Sequence, residues 1–366
     1  MAAIGAVAGF DVAAVHGYAA GLSQPSATAL AGIGAITAGV LAYVNGQLSR
    51  ELSAAQHRKD TERERERHHE DTLRARESSL RDRYTTIASQ IGDQSHTIRL
   101  AGVYALIALA DDWHRLHPET IERQNCIDLL ISYIRRPPVA GKTLSGTEST
   151  VRATIMKAIA KRALLGEMDE PDLSWEHCDT SMSDAHLPGI AINWSLTGLN
   201  LVQADLQEVQ ISSHADLTGT RFAYADLTDA ELSYCTAVEA VFTGANLELA
   251  RFDHANLTSA FLHRAKLEQT SFTRANLTDT EISEMTAVNC DFKGAFLHQT
   301  KLWYTTFKGT DFDGADLTGA DLRTATFVNC SFRGAIGLDV TRGSFDEATR
   351  TTIAGDPLFT RDEGDS

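Results

Sequence analysis

Between Ala215 and Ala335 hydrophobic residues recur at every fifth position without a break. Leu217, Phe222, Leu227 and Leu232 open a series that runs through Phe252, Phe272, Phe292 and Phe312 to Phe332. A small residue stands two places before the large one, as Ala225, Ala245 and Ala265 do before Leu227, Leu247 and Leu267. A period of five matches neither the 3.6 of a helix nor the 2 of a strand. In an extended stretch the small and large residues, two apart, face the same side, so the other three residues must turn the chain before the pattern restarts. The segment is predicted to be a polygonal coil.

One column is marked by ring size. Leu232, Phe252, Phe272, Phe292, Phe312 and Phe332 lie twenty residues apart, so four pentapeptides per coil would stack these rings. Coils that pair like neighbouring strands rise by roughly 4.8 Å each, and the six coils of Leu217 to Phe332 give roughly 30 Å. A looser version extends upstream through Met182, Leu187, Leu196, Leu201, Leu206 and Ile211. The six-residue step from Ile211 to Leu217 predicts one residue inserted near Ser212 to His214, a bulge at a corner. After Ala335 the chain leaves register, and residues 336–366 are expected to cap the last coil and end in an acidic tail.

The runs AYADLTDAEL, TGANLELARF, DHANLTSAFL, TRANLTDTEI and DGADLTGADL resemble the pentapeptide-repeat family. The resemblance covers about half the chain and implies an all-β right-handed quadrilateral β-helix. By the same resemblance Leu and Phe fill the axis, Ala, Thr and Cys sit close to it, and Asp216, Asp226, Asn246, Asn256, Asn276, Asp316 and Asp321 hydrogen-bond the corner backbone.

Upstream the patterning changes three times. Residues Ala27 to Val44 form an uncharged run of eighteen, the short end of what spans a bilayer. No Lys or Arg precedes it, whereas Arg50, Arg58, Lys59 and Arg63 follow. That asymmetry argues against a signal peptide and predicts a single-pass plasma-membrane protein with most of the chain cytoplasmic. Gly32, Gly34, Ala35, Ala38 and Gly39 add a weak signal for a homodimer.

From Gln47 to Arg83 charged residues of both signs alternate with no Gly or Pro, which predicts a solvated helical stalk of roughly 55 Å. Leu73, Leu80 and Ile87 recur every seven residues, too few for a coiled coil. Residues 84–170 are predicted to form a helical bundle, with helices at Tyr84 to Ile91, Thr97 to His114, Pro118 to Arg135 and Glu148 to Leu165. Arg99, Arg123 and Arg152 each precede apolar residues by four and seven, a faint echo of HEAT-type repeats. RDRYTTIASQIGDQSHTIRLAGVYALIALADDW and RQNCIDLLISYIRRP resemble the helical region of membrane-anchored pentapeptide-repeat proteins of actinobacteria. The expected organisation is 1–46 with the span, 47–83 stalk, 84–170 bundle, 171–335 β-helix and 336–366 cap and tail.

Charge sharpens this division. Residues 1–170 hold 20 acidic and 20 basic side chains, whereas 171–366 hold 29 and 13, so the net charge of -16 falls entirely in the repeat half. Such a surface repels nucleic acid and favours basic partners.

Candidate chemistry is thin. VAGKT at Val139 to Thr143 resembles the end of a phosphate-binding loop, but Arg136 occupies the place of the first glycine. His177, Cys178 and His186 lack a paired metal-ligand spacing and are expected at the first coil. Cys235, Cys290 and Cys330 occupy inward small sites, and Cys290 and Cys330, two coils apart at roughly 10 Å, are too far apart for a disulfide. Asn256 and Asn276 fit the glycosylation triplet only because the repeat does. The chain is therefore expected to be no enzyme and to use no cofactor, catalytic residue or metal. The favoured function is a membrane-tethered interaction scaffold for an unidentified protein partner. The alternative implied by the family is a mimic of duplex DNA that binds DNA gyrase or another type II topoisomerase, as quinolone-resistance members do. Against that, the acids are expected to be scattered over all four faces among Arg and Lys.

Overall fold

The computed structural model describes residues 24–117, 121–138, 144–163, 174–175 and 177–354 and divides into two compact units, Met1–Ser78 and Ser79–Ser366. The phosphate-loop-like segment 139–143 lies outside the described residues.

The first unit holds most of helix α1 (Gln24–Ile91). The helix runs from the stalk into the bundle without interruption, because nothing between Gly46 and Gly92 disturbs helical geometry. From Ala31 onward the apolar part is exposed, with Ile36 at 68% and Leu41 at 58%. Ion pairs in the charged part are local: Arg74 reaches Glu70 at 3.3 Å and Asp71 at 3.6 Å. Exposed pairs of this kind stabilise a helix by about 0.3–0.5 kcal/mol.

In the second unit, the end of α1 packs with α2 (His96–Leu116), α3 (Ile121–Ile134) and α4 (Gly146–Ala163). Leu80, Ile87 and Ile91 of α1 are buried in that core. The seven-residue recurrence thus serves packing within the chain. Gly102 lets α2 approach α1 closely, since a Cβ there would stand 3.1 Å from Gln90 and Ile91. Ser145 caps α4 by accepting the Glu148 N–H at 3.2 Å, a Ser-x-x-Glu start.

Beyond the helices the chain forms a parallel β-solenoid of about eight turns. Short strands mark it: β1 (Ala191–Ile192) pairs with β2 (Gln210–Ile211), and β3 (Leu267–Glu268), β4 (Thr286–Val288), β5 (Thr306–Lys308), β6 (Thr326–Val328) and β7 (Ser344–Phe345) follow one another in a second sheet. Isolated parallel bridges spaced by twenty residues, such as Glu231 with Arg251 and Arg251 with Ser271, complete the remaining sides.

At most corners the inward residue accepts a hydrogen bond from the N–H three residues on, as Phe222 does from Ala225 at 3.0 Å. The residue before that donor takes positive φ, even where it is Tyr224, Leu249 or Thr324. Such geometry costs a non-glycine residue about 1 kcal/mol. The offset is a fully buried Leu or Phe per repeat, each stabilising by about 1.5–3 kcal/mol. The rings of Phe252, Phe272, Phe292, Phe312 and Phe332 stack at 4.8–5.3 Å, matching one coil per ring.

The inserted residue is where the spacing places it. Ala215 N–H bonds Ser212 and His214 carries the positive φ, both one place later than in a regular corner. A compensating short corner precedes it. Ile192 and Leu196 are four apart, so Ile192 pairs with Ile211 after nineteen residues and Asn200 with Arg221 after twenty-one. The two irregularities stack on one corner and cancel.

Both ends of the solenoid are covered. At the far end Phe345 stacks on Phe327 at 4.8 Å, and α5 (Glu347–Ala354) follows, with Thr349 accepting the Cys330 N–H at 3.1 Å. At the near end the helices dock: His186 N–H bonds the Ile134 carbonyl at 2.8 Å, and Trp175 N–H bonds Arg162 at 2.8 Å.

Candidate interaction surfaces

Arginines make the join between helices and solenoid. Buried Arg152 donates to the carbonyls of Ile134 at 3.0 Å, Arg136 at 2.9 Å and His186 at 2.7 Å, and pairs with Glu148 at 2.9 Å. Arg135 donates to Ser183 and Ser181, Arg123 to Ser174, and Arg162 lies over Trp175 while pairing with Asp111 at 2.9 Å. The echo linking Arg99, Arg123 and Arg152 has a partial physical basis, since Arg99 and Arg152 share Glu148. Burial works to raise the Glu148 carboxyl, but hydrogen bonds from Arg152 and Tyr133 and the charges of Arg152 and Arg99 outweigh it and hold the group below 4.5.

Inside the solenoid there is no room for a ligand. Leu217, Phe222, Leu227, Leu232, Phe252, Phe272, Phe292, Phe312, Phe332, Ala225, Ala245 and Ala265 are all buried. Thr270, Thr280, Thr300 and Thr305, at inward small sites, donate their hydroxyls to carbonyls of the preceding coil at 2.7–2.9 Å. Burial pushes the thiols of Cys235 up to about 12 and of Cys290 and Cys330 to about 11, and none of the five cysteines is in a disulfide. The Asp/Asn sites work as the resemblance implies. Asp216, Asp226, Asn246, Asn256, Asn276, Asp316 and Asp321 each accept the N–H two residues on at 2.9–3.3 Å.

The outward positions, sorted by column, divide into four faces, named here for their inward residues. The Leu217 face carries Asp216, Glu239, Asp279 and Asp316 with no Lys or Arg. On the Phe222 face, over residues 221–324, Arg221, Arg264, Lys301 and Arg323 outnumber Glu281, Glu284 and Asp321. The Leu227 and Leu232 faces mix both signs, with ion pairs such as Arg251 to Asp253 at 2.7 Å and Lys293 to Asp311 at 3.0 Å. Acids are therefore not scattered uniformly. On the Leu217 face they form a column without Lys or Arg, in which His298 pairs with Asp316 at 2.7 Å and Phe296 stands exposed at 48%.

His177, Cys178 and His186 lie at the first coil, where His186 faces Asp205 at 3.4 Å. No group of three or more His, Cys, Asp or Glu placed to hold a metal occurs among the described residues. A cavity of about 290 Å³ opens in the helical region, lined by Arg81, Tyr84, Thr85, Trp113, Glu122 and Asn125. There Arg81 lies over Trp113 at 5.9 Å and pairs with Glu122 at 3.2 Å. Its lining comes from three helices, so no sequence spacing signals it.

The family profile described as pentapeptide repeats (8 copies) matches residues 213–248, 238–274, 255–294 and 290–329. No curated protein matches the chain. Among solved structures, full-length QnrB1, a plasmid-mediated fluoroquinolone resistance protein, is similar at 18% identity and a TM-score of 0.39, over 45% of this chain and 93% of that one. A pentapeptide repeat protein of the Arabidopsis thaliana thylakoid lumen is similar at 31% identity and a TM-score of 0.19, over 30% and 66%. HetL, involved in heterocyst differentiation regulation in the cyanobacterium Nostoc sp. strain PCC 7120, is similar at 25% identity and a TM-score of 0.16, over 42% and 85%. Through the repeats of residues 213–329, the chain belongs to the pentapeptide-repeat family.

Proposed function

We propose that this protein is a non-enzymatic interaction scaffold, tethered to the plasma membrane through residues 27–44 with the bulk of the chain in the cytoplasm. One observation carries the scaffold reading: outward chemistry changes from face to face over a filled, nearly invariant core. A filled axis leaves only the outer surface to meet a partner, and a straight ladder presents each column as a linear array. The tether is supported by the exposed apolar start of α1, where a window from Ala31 reaches a mean hydropathy of 1.2 with none of it buried. Deleting residues 1–46 should move the protein from the carbonate-washed membrane pellet to the supernatant. A full-length chain that carbonate itself extracts would end the tether.

The second reading, a DNA mimic that binds a type II topoisomerase, is favoured by the Leu217 face. A column of carboxylates without Lys or Arg is a surface that a nucleic-acid-binding groove would accept. Purified full chain added to DNA gyrase separates the readings. Loss of supercoiling that Asp279→Lys relieves would establish mimicry, and unchanged supercoiling at micromolar protein would leave the scaffold.

A further inference from the structure

The Phe222 face differs from the other three in composition. It displays Tyr224 at 65%, Tyr304 at 68% and Phe261 at 43% exposure, and over residues 221–324 it carries more basic than acidic residues, as no other face does over the same coils. The Tyr224 ring lies over the site of Gly244, where a Cβ would stand 2.6 Å from it. Exposed tyrosines beside arginines are the residue types that dominate protein interfaces.

The order of charges along this face is complementary to its own reverse. Its six rungs from Arg221 to Asp321 are twenty residues apart, and the midpoint of this patch lies between the rungs of Phe261 and Glu281. Turning a second copy end for end about that midpoint sets Arg221 opposite Asp321 and Arg264 opposite Glu284. It also sets Gly244, the position without a side chain, opposite Tyr304. No charge on the face meets its like. The same operation sets Asp216 against Asp316 on the Leu217 face and Asp253 against Asp313 on the Leu232 face, and like charges directly opposed are destabilising. An isologous two-fold contact needs one patch complementary to itself.

We infer that two copies of this chain pair through the Phe222 face, antiparallel and isologous. Arg264 and Glu284, already joined at 2.6 Å within one chain, meet their counterparts around the two-fold axis as a cluster of four alternating charges. Tyr304 of each copy meets the exposed Tyr224 ring that lies over Gly244 of the other. The inference does not depend on the scaffold or the mimic reading, and it leaves three faces open in the dimer.

Cysteine placement tests the register. Val241 and Lys301 oppose each other across the proposed contact but lie three rungs apart within one chain. Full-length V241C and K301C proteins, purified in detergent, mixed and treated with a short bis-maleimide, should give covalent dimers. Neither protein alone should exceed the wild-type background. Sedimentation supplies the second arm: R264E and E284R should each weaken dimerisation about tenfold or more, and mixing the two should restore it, because each then offers the other an opposite charge. Absence of cross-linking in the mixed sample, or dimers that persist equally in both charge variants, would overturn the proposal.

Discussion

The solenoid and the helical region beside it are both well packed, yet they are specified in opposite ways. The solenoid repeats one solution: a large apolar residue inward, a corner at positive φ, and a small residue inward. Neighbouring coils make similar contacts, so no single coil determines the fold. The helical region makes its decisive contacts once, through arginines of which Arg152 and Arg135 reach backbone carbonyls of the first coil. Repetition leaves the outer faces free to vary and carry binding, whereas the single-copy contacts must be conserved in kind for the solenoid end to stay closed.

The largest expected effect comes from the repeated core. Phe272→Ala, in the middle of the stacked rings, should lower stability by about 3–5 kcal/mol. Thr273→Ala on the adjacent outward position should stay within about 0.5 kcal/mol. Denaturant unfolding of the two variants checks the contrast. If Phe272→Ala were equally mild, the axis would not be the source of stability.

Arg152→Met should come next, at about 2–3 kcal/mol, because it leaves the Glu148 carboxylate and three carbonyls with fewer partners. Its loss should also be local, with amide exchange rising around Met182 to Ile192 and unchanged near Phe292. Uniform acceleration would mean that Arg152 serves overall stability and not the join.

Glu148 makes the same junction sensitive to acid. Its folded pKa is held below the ordinary 4.5, so its contribution is present above that value and is lost as pH falls through the lowered folded value. Protein carrying Glu148→Gln should be less stable at neutral pH and should lose less on acidification. Parallel pH profiles for the two proteins would show that the carboxylate is not the responsible group.

Thiol chemistry offers a milder comparison. Cys178 is half-buried, while Cys126, Cys235, Cys290 and Cys330 are buried, with thiols raised to about 11–12. A thiol reagent on the native protein should label Cys178 first. Early labelling of Cys290 would reveal opening of the solenoid. The smallest effect is a gain: Leu249 sits at φ 60° in a corner, so Leu249→Gly should raise stability by up to about 1 kcal/mol.

These contrasts explain what the sequence could convey. The period of five and the twenty-residue ring column were legible because each repeat states the same rule, and so was the insertion beside Ser212. The short corner between Ile192 and Leu196 was harder to see, because a single step of four resembles noise until the structure shows it stacked beneath the step of six. The arginine contacts left only the faint shared spacing of Arg99, Arg123 and Arg152, since their acceptors are largely backbone carbonyls that any residue supplies. The asymmetry of the faces was present in the sequence but emerges only when outward residues are sorted by column.

Amide hydrogen exchange on the full chain, resolved coil by coil, tests most directly whether the solenoid and its helical cap form one cooperative body. The account predicts strong protection from Ile190 through Phe332, with the His186 N–H, bonded to Ile134, protected alongside the core of α3. Rapid exchange at His186 and through the first coil, while the coils around Phe292 remain protected, would contradict it.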